Sequence, residues 1–470
     1  MRGRDLTTGA IPAHTWALAW PVMLSIFFQT LYQAVDAFWV SQLADEALAA
    51  VNMSQIALFA SVSLTIGITV GSGVLMAMSI GARNIDEAER ILGQSFVLNF
   101  IAAVVLTTLV LALRTPILRA VGATDAIFPL ARDYLTITGS AMGLIFLFFA
   151  AVFCFNSQGD NTTVTMLFAI STGLNIVLDP LLIFGWLGFP RLGVRGAAIA
   201  TVISQFVLLA SGITLLATRD MMVRFRLRRL VIRGESVARV LAIGFPASLT
   251  SMMGPLAMAV LTAMVSRAFG DQGAVAVSVG LRAEVFSFLP ALGFGVAALA
   301  LIGQNMGAGN PERARRSYRT ALVFALSFGS GLGILAVAFA GPIVRTFTDD
   351  PVVIGYAIRY LRTVPLSYGV MGAGMVVVMS FQGLRRSWRG AAITALRLAV
   401  LSAAAILLAN VLGAPVGAVW LSVILANLVY AAVGFLTLER QLARPKQPEG
   451  PPRQPEPDPD RDPAAAQPVA

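Results

Sequence analysis

Residues 81–88 read GARNIDEA and residues 307–314 read GAGNPERA. Two copies of one turn, set about 225 residues apart in a chain of 470, imply that the fold was built twice. The same shift brings Pro21 onto Pro246 and Ser41 onto Ser266, and a nearly equal one brings Gln158-Gly159 onto Gln382-Gly383. Four matches in one order point to a duplicated unit.

Between these landmarks the chain is a succession of long apolar runs. Apolar residues make up 57% of it and charged residues only 12%, about half of what a soluble globular chain carries. Twelve runs are long enough to cross the hydrocarbon core of a bilayer, near 16–40, 50–76, 91–113, 133–155, 163–184, 196–217, 240–266, 274–301, 319–340, 357–381, 390–412 and 416–438. Six spans per copy is an even number, so both copies enter the membrane from one side. The expectation is an all-α polytopic membrane protein with twelve transmembrane helices in two six-helix lobes, related by a pseudo-twofold axis along the membrane normal. Residues 1–217 would be the N-lobe with spans 1–6, 218–239 a basic cytoplasmic connector, 240–438 the C-lobe with spans 7–12, and 439–470 a disordered cytoplasmic tail rich in proline and charge. Two such lobes can rock about a central cavity, which is transporter architecture. A duplicated scaffold is the alternative.

Basic residues orient the spans. With both termini inside, and with Arg319, Arg359 and Arg362 at the span edges counted with the adjoining loops, 23 of the 34 Lys and Arg residues fall on inner segments and nine on outer ones, leaving Arg282 and Arg397 at membrane depth. The net charge of +10 is thereby mostly a topology signal, because the arginines are spread over several loops rather than gathered as nucleic-acid binding needs. The connector RFRLRRLVIR (224–233) can also lie against anionic lipid headgroups. The first apolar stretch is too long for a cleavable signal and holds Asp36. One cysteine, Cys154, and one histidine, His14, leave no internal disulfide, no zinc site and no histidine-centred catalysis, so an enzyme is not expected.

Three acids fall within spans: Asp36, Asp179 and Glu284. A charge at the bilayer centre costs about 2.5–3.5 kcal/mol on insertion scales, so each should face a cavity or a partner. Asp36 shares a helical face with Gln29, Tyr32 and Gln33 on span 1. Ser171, Asn175 and Asp179 repeat at four-residue spacing on span 5, followed by Pro180, whose ring frees the Ile176 carbonyl. Thr201 and Gln205 stand four apart on span 6. The pattern suggests a hydrated cavity whose carboxylates bind and release a coupling cation, since removal from water favours a carboxyl's protonated form. A fixed ion pair of Asp36 or Asp179 with Arg397 is the competing reading. Glycines 67–73 (GITVGSG) suit close helix packing better than phosphate binding, because no GxxxxGK[ST] occurs.

The string PVMLSIFFQTLYQAVDAFWVSQL, both GA-x-N turns, GQNMGAGNPERA after span 8 and NIVLDPLLIF in span 5 resemble the multidrug and toxic compound extrusion (MATE) family. The resemblance covers roughly residues 12–438. It implies a two-lobe exporter of the bacterial inner membrane that expels small cationic or amphiphilic drugs in exchange for H⁺ or Na⁺, with no further cofactor. Surrounding lipid and no nucleic acid would be its partners, and it would act as a monomer. Carried over by position, it assigns cation coupling to Tyr32, Asp36, Asn175, Asp179 and Thr201, with any Na⁺ at Asp36 and Asp179. The substrate cavity would take Gln29, Gln33, Tyr134, Asn156, Gln205 and Glu284. Some members are described with a second cation site on spans 7 and 10, but residues 240–266 and 357–381 hold no Asp or Glu. A lipid or lipid-linked saccharide flippase of the same superfamily is the alternative function.

Overall fold

The computed structural model describes residues 3–230 and 234–443, so the expected tail lies outside the described residues from 444 onward. Helices dominate because an apolar segment surrounded by hydrocarbon must satisfy its own backbone hydrogen bonds. We label the membrane helices α1 (Ile11–Ser41), α2 (Asp45–Gly81), α3 (Ile85–Ala112), α4 (Phe128–Ser140 with Met142–Ser157), α5 (Asn161–Phe184) and α6 (Val194–Thr218). The second set is α7 (234–269), α8 (271–307), α9 (Pro311–Ala338), α10 (Pro351–Gly383), α11 (Ser387–Ala409) and α12 (Val416–Ala443). Helix α4 is one bent span, its arms meeting at 45°. Helices α7 and α8 follow without a loop, separated by Gly270 at φ 67°, a conformation that glycine adopts without strain. The first of these begins at Gly234, so the last six residues of the expected connector are helical.

The duplication is exact enough to measure. Helix α9 repeats α3 with both ends shifted by 226 residues, and the Arg114–Ala120 helix on the far side recurs from Ala340 with the same shift. Structure also explains the GA-x-N turn. Arg83 (φ 59°) and Gly309 (φ 71°) end one helix in the left-handed region, and Asn84 and Asn310 cap the next by accepting from the Glu87 and Arg313 amides at 3.1 and 3.0 Å. The left-handed residue after α4 is Gly159 (φ 74°), and its counterpart is Arg385 (φ 58°). The true register at this turn is therefore 226, two residues from the Gln158-Gly159 to Gln382-Gly383 match, because Gln382 and Gly383 still belong to the last turn of α10.

The lobes meet mainly through α1 and α2 of one and α7 and α8 of the other, and the meeting is itself twofold. A methyl group on Gly81 would stand 1.9 Å from the Gln304 carbonyl oxygen, and one on Gly307 would stand 1.9 Å from that of Met78. A methyl group on Gly67 of α2 would stand 2.3 and 2.0 Å from the Gly244 carbonyl oxygen and Ser248 Oγ of α7, as one on Gly293 of α8 would stand 2.9 and 2.7 Å from the Ala19 carbonyl oxygen and Met23 Cγ of α1. Each contact maps onto its partner by a shift of 225 or 226, so the pseudo-twofold axis runs between α2 and α8. All of these approaches lie in the half of the molecule that carries the start of α1. We call that end the N-terminal face.

Candidate functional site

Five polar residues expected at a cation site converge near the opposite end of the N-lobe. Asp36 stands on the penultimate turn of α1 and Asp179 close to the end of α5, both buried, at 2% and 0% exposure. Helix α5 is held to α1 by a ladder of side-chain bonds onto the α1 backbone. Asn161 Nδ2 donates to the Leu18 carbonyl at 2.7 Å, Thr165 Oγ1 to that of Pro21 at 2.6 Å and Thr172 Oγ1 to that of Phe28 at 3.2 Å. That ladder fixes the rotation of the two helices and so turns both carboxylates inward. Helix α5 continues to Phe184 beyond Pro180, which removes one backbone donor beside Asp179.

Within the cluster Asn175 Nδ2 donates to Asp179 Oδ1 at 3.0 Å. The second oxygens are unbonded: Asp36 Oδ1, Asp179 Oδ2 and Asn175 Oδ1 are buried with no hydrogen-bond donor, as are the hydroxyl oxygens of Thr201 and Tyr32. Tyr32 neighbours Asp36, Asp179 and Thr201, and Tyr134 neighbours Asp36, Tyr32 and Thr201. Among the described residues no basic group stands at ion-pair distance from either aspartate. Arg397, the partner considered from sequence, instead donates from Nε to Asn427 Oδ1 at 2.9 Å and lies over the Tyr430 ring. Val40, Ile183 and Ala197, each one helical turn from Asp36, Asp179 and Thr201, belong with Tyr134 and Val194 to one buried apolar cluster. Carboxylate, amide and hydroxyl oxygens are the donor set for a proton or a hard monovalent cation.

Other expected residues fall elsewhere. Gln29 and Gln205 are half-buried and Gln33 is exposed, and none of the three hydrogen-bonds to the cluster. Asn156 does not belong to it at all. It sits on the last turn of α4, about 30 Å along that span from Tyr134 at a rise of 1.5 Å per residue, and so lies toward the N-terminal face. Glu284 is held in a separate cluster inside the C-lobe, where the Tyr360 hydroxyl donates to its Oε1 at 2.6 Å and its Oε2 has no donor. Asn427 Nδ2, bonded to Ser367 Oγ at 2.9 Å, joins Arg397 to the same region. A single sequence signal points to these missed residues: the 226-residue shift carries Tyr134 onto Tyr360, Thr201 onto Asn427 and Ser171 onto Arg397. Gln55, a lone glutamine of α2 beside Tyr134, was also missed.

Comparison with known proteins fits this picture. The model of the MatE family matches residues 21–181 and 246–408. A relative from Shewanella oneidensis named "FAD transporter" is 31% identical over 81% of this chain and 84% of its own. The "Probable multidrug resistance protein NorM" of Thermotoga maritima is 30% identical over 72% of each chain. A solved structure described as the outward-facing conformation of a multidrug resistance MATE family transporter superposes with a TM-score of 0.88 at 28% identity, covering 94% of this chain and 98% of that one.

Proposed function

The chain belongs to the MatE family of multi-pass membrane transporters, and from that premise we propose that it is a cation-coupled antiporter exporting small cationic or amphiphilic compounds. One observation carries the proposal: Asp36 and Asp179 are buried together, each with an unbonded oxygen, and no basic residue among the described ones stands at ion-pair distance. An uncompensated buried anion costs several kcal/mol, so this arrangement persists only when positive charge is added. A proton supplies it by turning one carboxylate into a donor. Na⁺ supplies it by accepting oxygens from Asp36, Asp179, Asn175, Thr201 and Tyr32.

The inner membrane is the proposed location, with the N-terminal face toward the cytoplasm, as the basic residues on that side support. Because the lobes join at the N-terminal face, the conformation is the outward-facing one. Cation loading from outside neutralises the aspartates and releases a cationic substrate. Cation loss on the other side restores the negative charge that attracts the next one. Exchange follows from the difference in cation affinity between the two lobe arrangements.

The test is ethidium transport in proteoliposomes with ΔpH and ΔNa⁺ imposed separately. Wild type should move ethidium against one of the two gradients, and Asp36→Asn should abolish the ethidium-driven cation release. Release at the wild-type rate in that variant defeats the mechanism. A second reading is favoured by Arg397, which has no carboxylate at ion-pair distance among the described residues, together with the relative named for FAD: an anionic dinucleotide as substrate. Uptake of FAD in the same vesicles, lost in Arg397→Gln while ethidium transport is absent, would select it.

A further inference from the structure

The N-terminal face carries two segments that cross from lobe to lobe. Residues 3–10 lead into α1, an N-lobe helix, yet most of their hydrogen bonds beyond the segment and α1 itself are to the C-lobe. Leu6 is fully buried; its amide donates to Gln304 Oε1 at 3.0 Å and its carbonyl accepts from Asn305 Nδ2 at 3.1 Å and Arg313 Nε at 3.3 Å. The Arg313 guanidinium also donates to the carbonyls of Thr8 and, at 2.8 Å, Gly9. Before that, the Arg4 amide donates to the Gln158 carbonyl of the N-lobe at 2.9 Å.

The connector mirrors this. It leads from α6 to α7, a C-lobe helix, yet it is gripped by the N-lobe. Val223 is fully buried and its amide donates to Gln158 Oε1 at 2.8 Å. Arg226 pairs with Glu89 at 3.3 Å, Arg229 with Asp86, and Arg239 at the start of α7 with Glu87 at 3.1 Å. Glu87 and Arg313 occupy the same place in the two repeats, 226 residues apart on the first turns of α3 and α9. Each lobe thus grips the segment that introduces the other lobe's first helix.

We propose that these crossed straps form a clasp that holds the N-terminal face shut, and that the molecule opens toward that face only when residues 6–9 release Arg313. The reason is mechanical. Thr8 and Gly9 stand two or three residues before Ile11, the first residue of α1, so their carbonyls must travel with α1. Rocking open at this face separates Gln304 from Ser157, to whose carbonyl it donates at 2.7 Å, and from Gly81. A strap continuous with one lobe cannot keep its bonds to the other through that movement. The connector loop can keep the bonds of Val223, Arg226 and Arg229, because their partners Gln158, Glu89 and Asp86 lie in the lobe it leaves; the Arg239–Glu87 pair, which starts on α7 itself, parts with the lobes. The strap at 3–10 is the releasing half of the clasp.

The test is electron-electron distance measurement in liposomes on a Cys154→Ser background. One spin-label pair, Ala217→Cys with Arg316→Cys, spans the N-terminal face, and a second, Ala44→Cys with Asp271→Cys, spans the opposite face. Removing the guanidinium bonds with Arg313→Gln should raise the ratio of longer to shorter distances at the first pair about tenfold and shorten the second pair reciprocally. Arg313→Lys should restore most of the wild-type distribution, and Gln304→Ala should act in the same direction as Arg313→Gln. Unchanged distances in both Arg313→Gln and Gln304→Ala, or broadening at both faces without the reciprocal shift, would overturn the clasp. The readout needs neither substrate nor coupling ion, so it fails or succeeds separately from the antiport reading.

Discussion

Asp36 and Glu284 are both buried carboxylates on membrane helices, yet they are satisfied differently. Among the described residues Asp36 has no basic partner and its Oδ1 no hydrogen-bond donor, whereas Glu284 receives a bond from the Tyr360 hydroxyl and shares its lobe with Arg397. The first arrangement is unstable without an added cation and the second carries much of its own compensation. Tyr360→Phe removes the only donor to Glu284 found among the described residues, so it should lower stability by about 1–3 kcal/mol. Thermal unfolding in detergent should show a lower midpoint, recovered in part by adding Glu284→Gln. No change in midpoint would mean the hydroxyl is not needed there. Sequence reading found both acids because a charge in an apolar run is conspicuous. It missed Tyr360 and Asn427, because neither stands three or four residues from an acid, as Tyr32 and Asn175 do, and only the 226-residue register relates them to Tyr134 and Thr201.

At the scale of the element, the glycines of α2 decide how closely the lobes approach. A helix surface without a side chain lets a neighbouring backbone come within van der Waals contact, and Gly67 and Gly71 do this against Gly244 and Val240 of α7. Gly67→Leu would put a side chain where a single methyl already stands 2.0 Å from Ser248 Oγ. That variant should force the N-terminal face open, seen as faster maleimide labelling of Val74→Cys, a position fully buried in the native seam. Gly173→Leu on α5, with open space around it, is the control and should leave labelling unchanged. Equal rates in both variants would remove the glycines from the closing of the face. The GITVGSG string was legible as a packing motif from its spacing. Which helix it packs against was not.

For the molecule as a whole, alternating access requires that the N-terminal face separate in each cycle. The seam offers a direct lock. A methyl group on Gly303 of α8 would stand 2.8 Å from the Ala77 Cβ of α2, so Ala77→Cys with Gly303→Cys, in a Cys154→Ser background, needs about 1 Å of relaxation to reach disulfide geometry. Oxidation should stop ethidium transport in proteoliposomes and reduction should restore it. Transport that persists after complete cross-linking would show that this face does not open.

Span number and the two-lobe plan were both legible in the chain alone. Each rests on a one-dimensional quantity: about 20 apolar residues to cross the hydrocarbon, and a repeat register. The stripe of Tyr32 and Asp36 and the pair Asn175 and Asp179 were legible for the same reason, since residues four apart share a helix face. Tertiary structure decided which faces meet. Asp36 and Asp179 are 143 positions apart and converge only because side chains of α5 bond to the α1 backbone, while Asn156 is left at the far end of its span and Arg397 turns to Asn427 rather than to an aspartate. Helix rotation and tilt are set by packing between segments distant in the chain, and no local pattern encodes them.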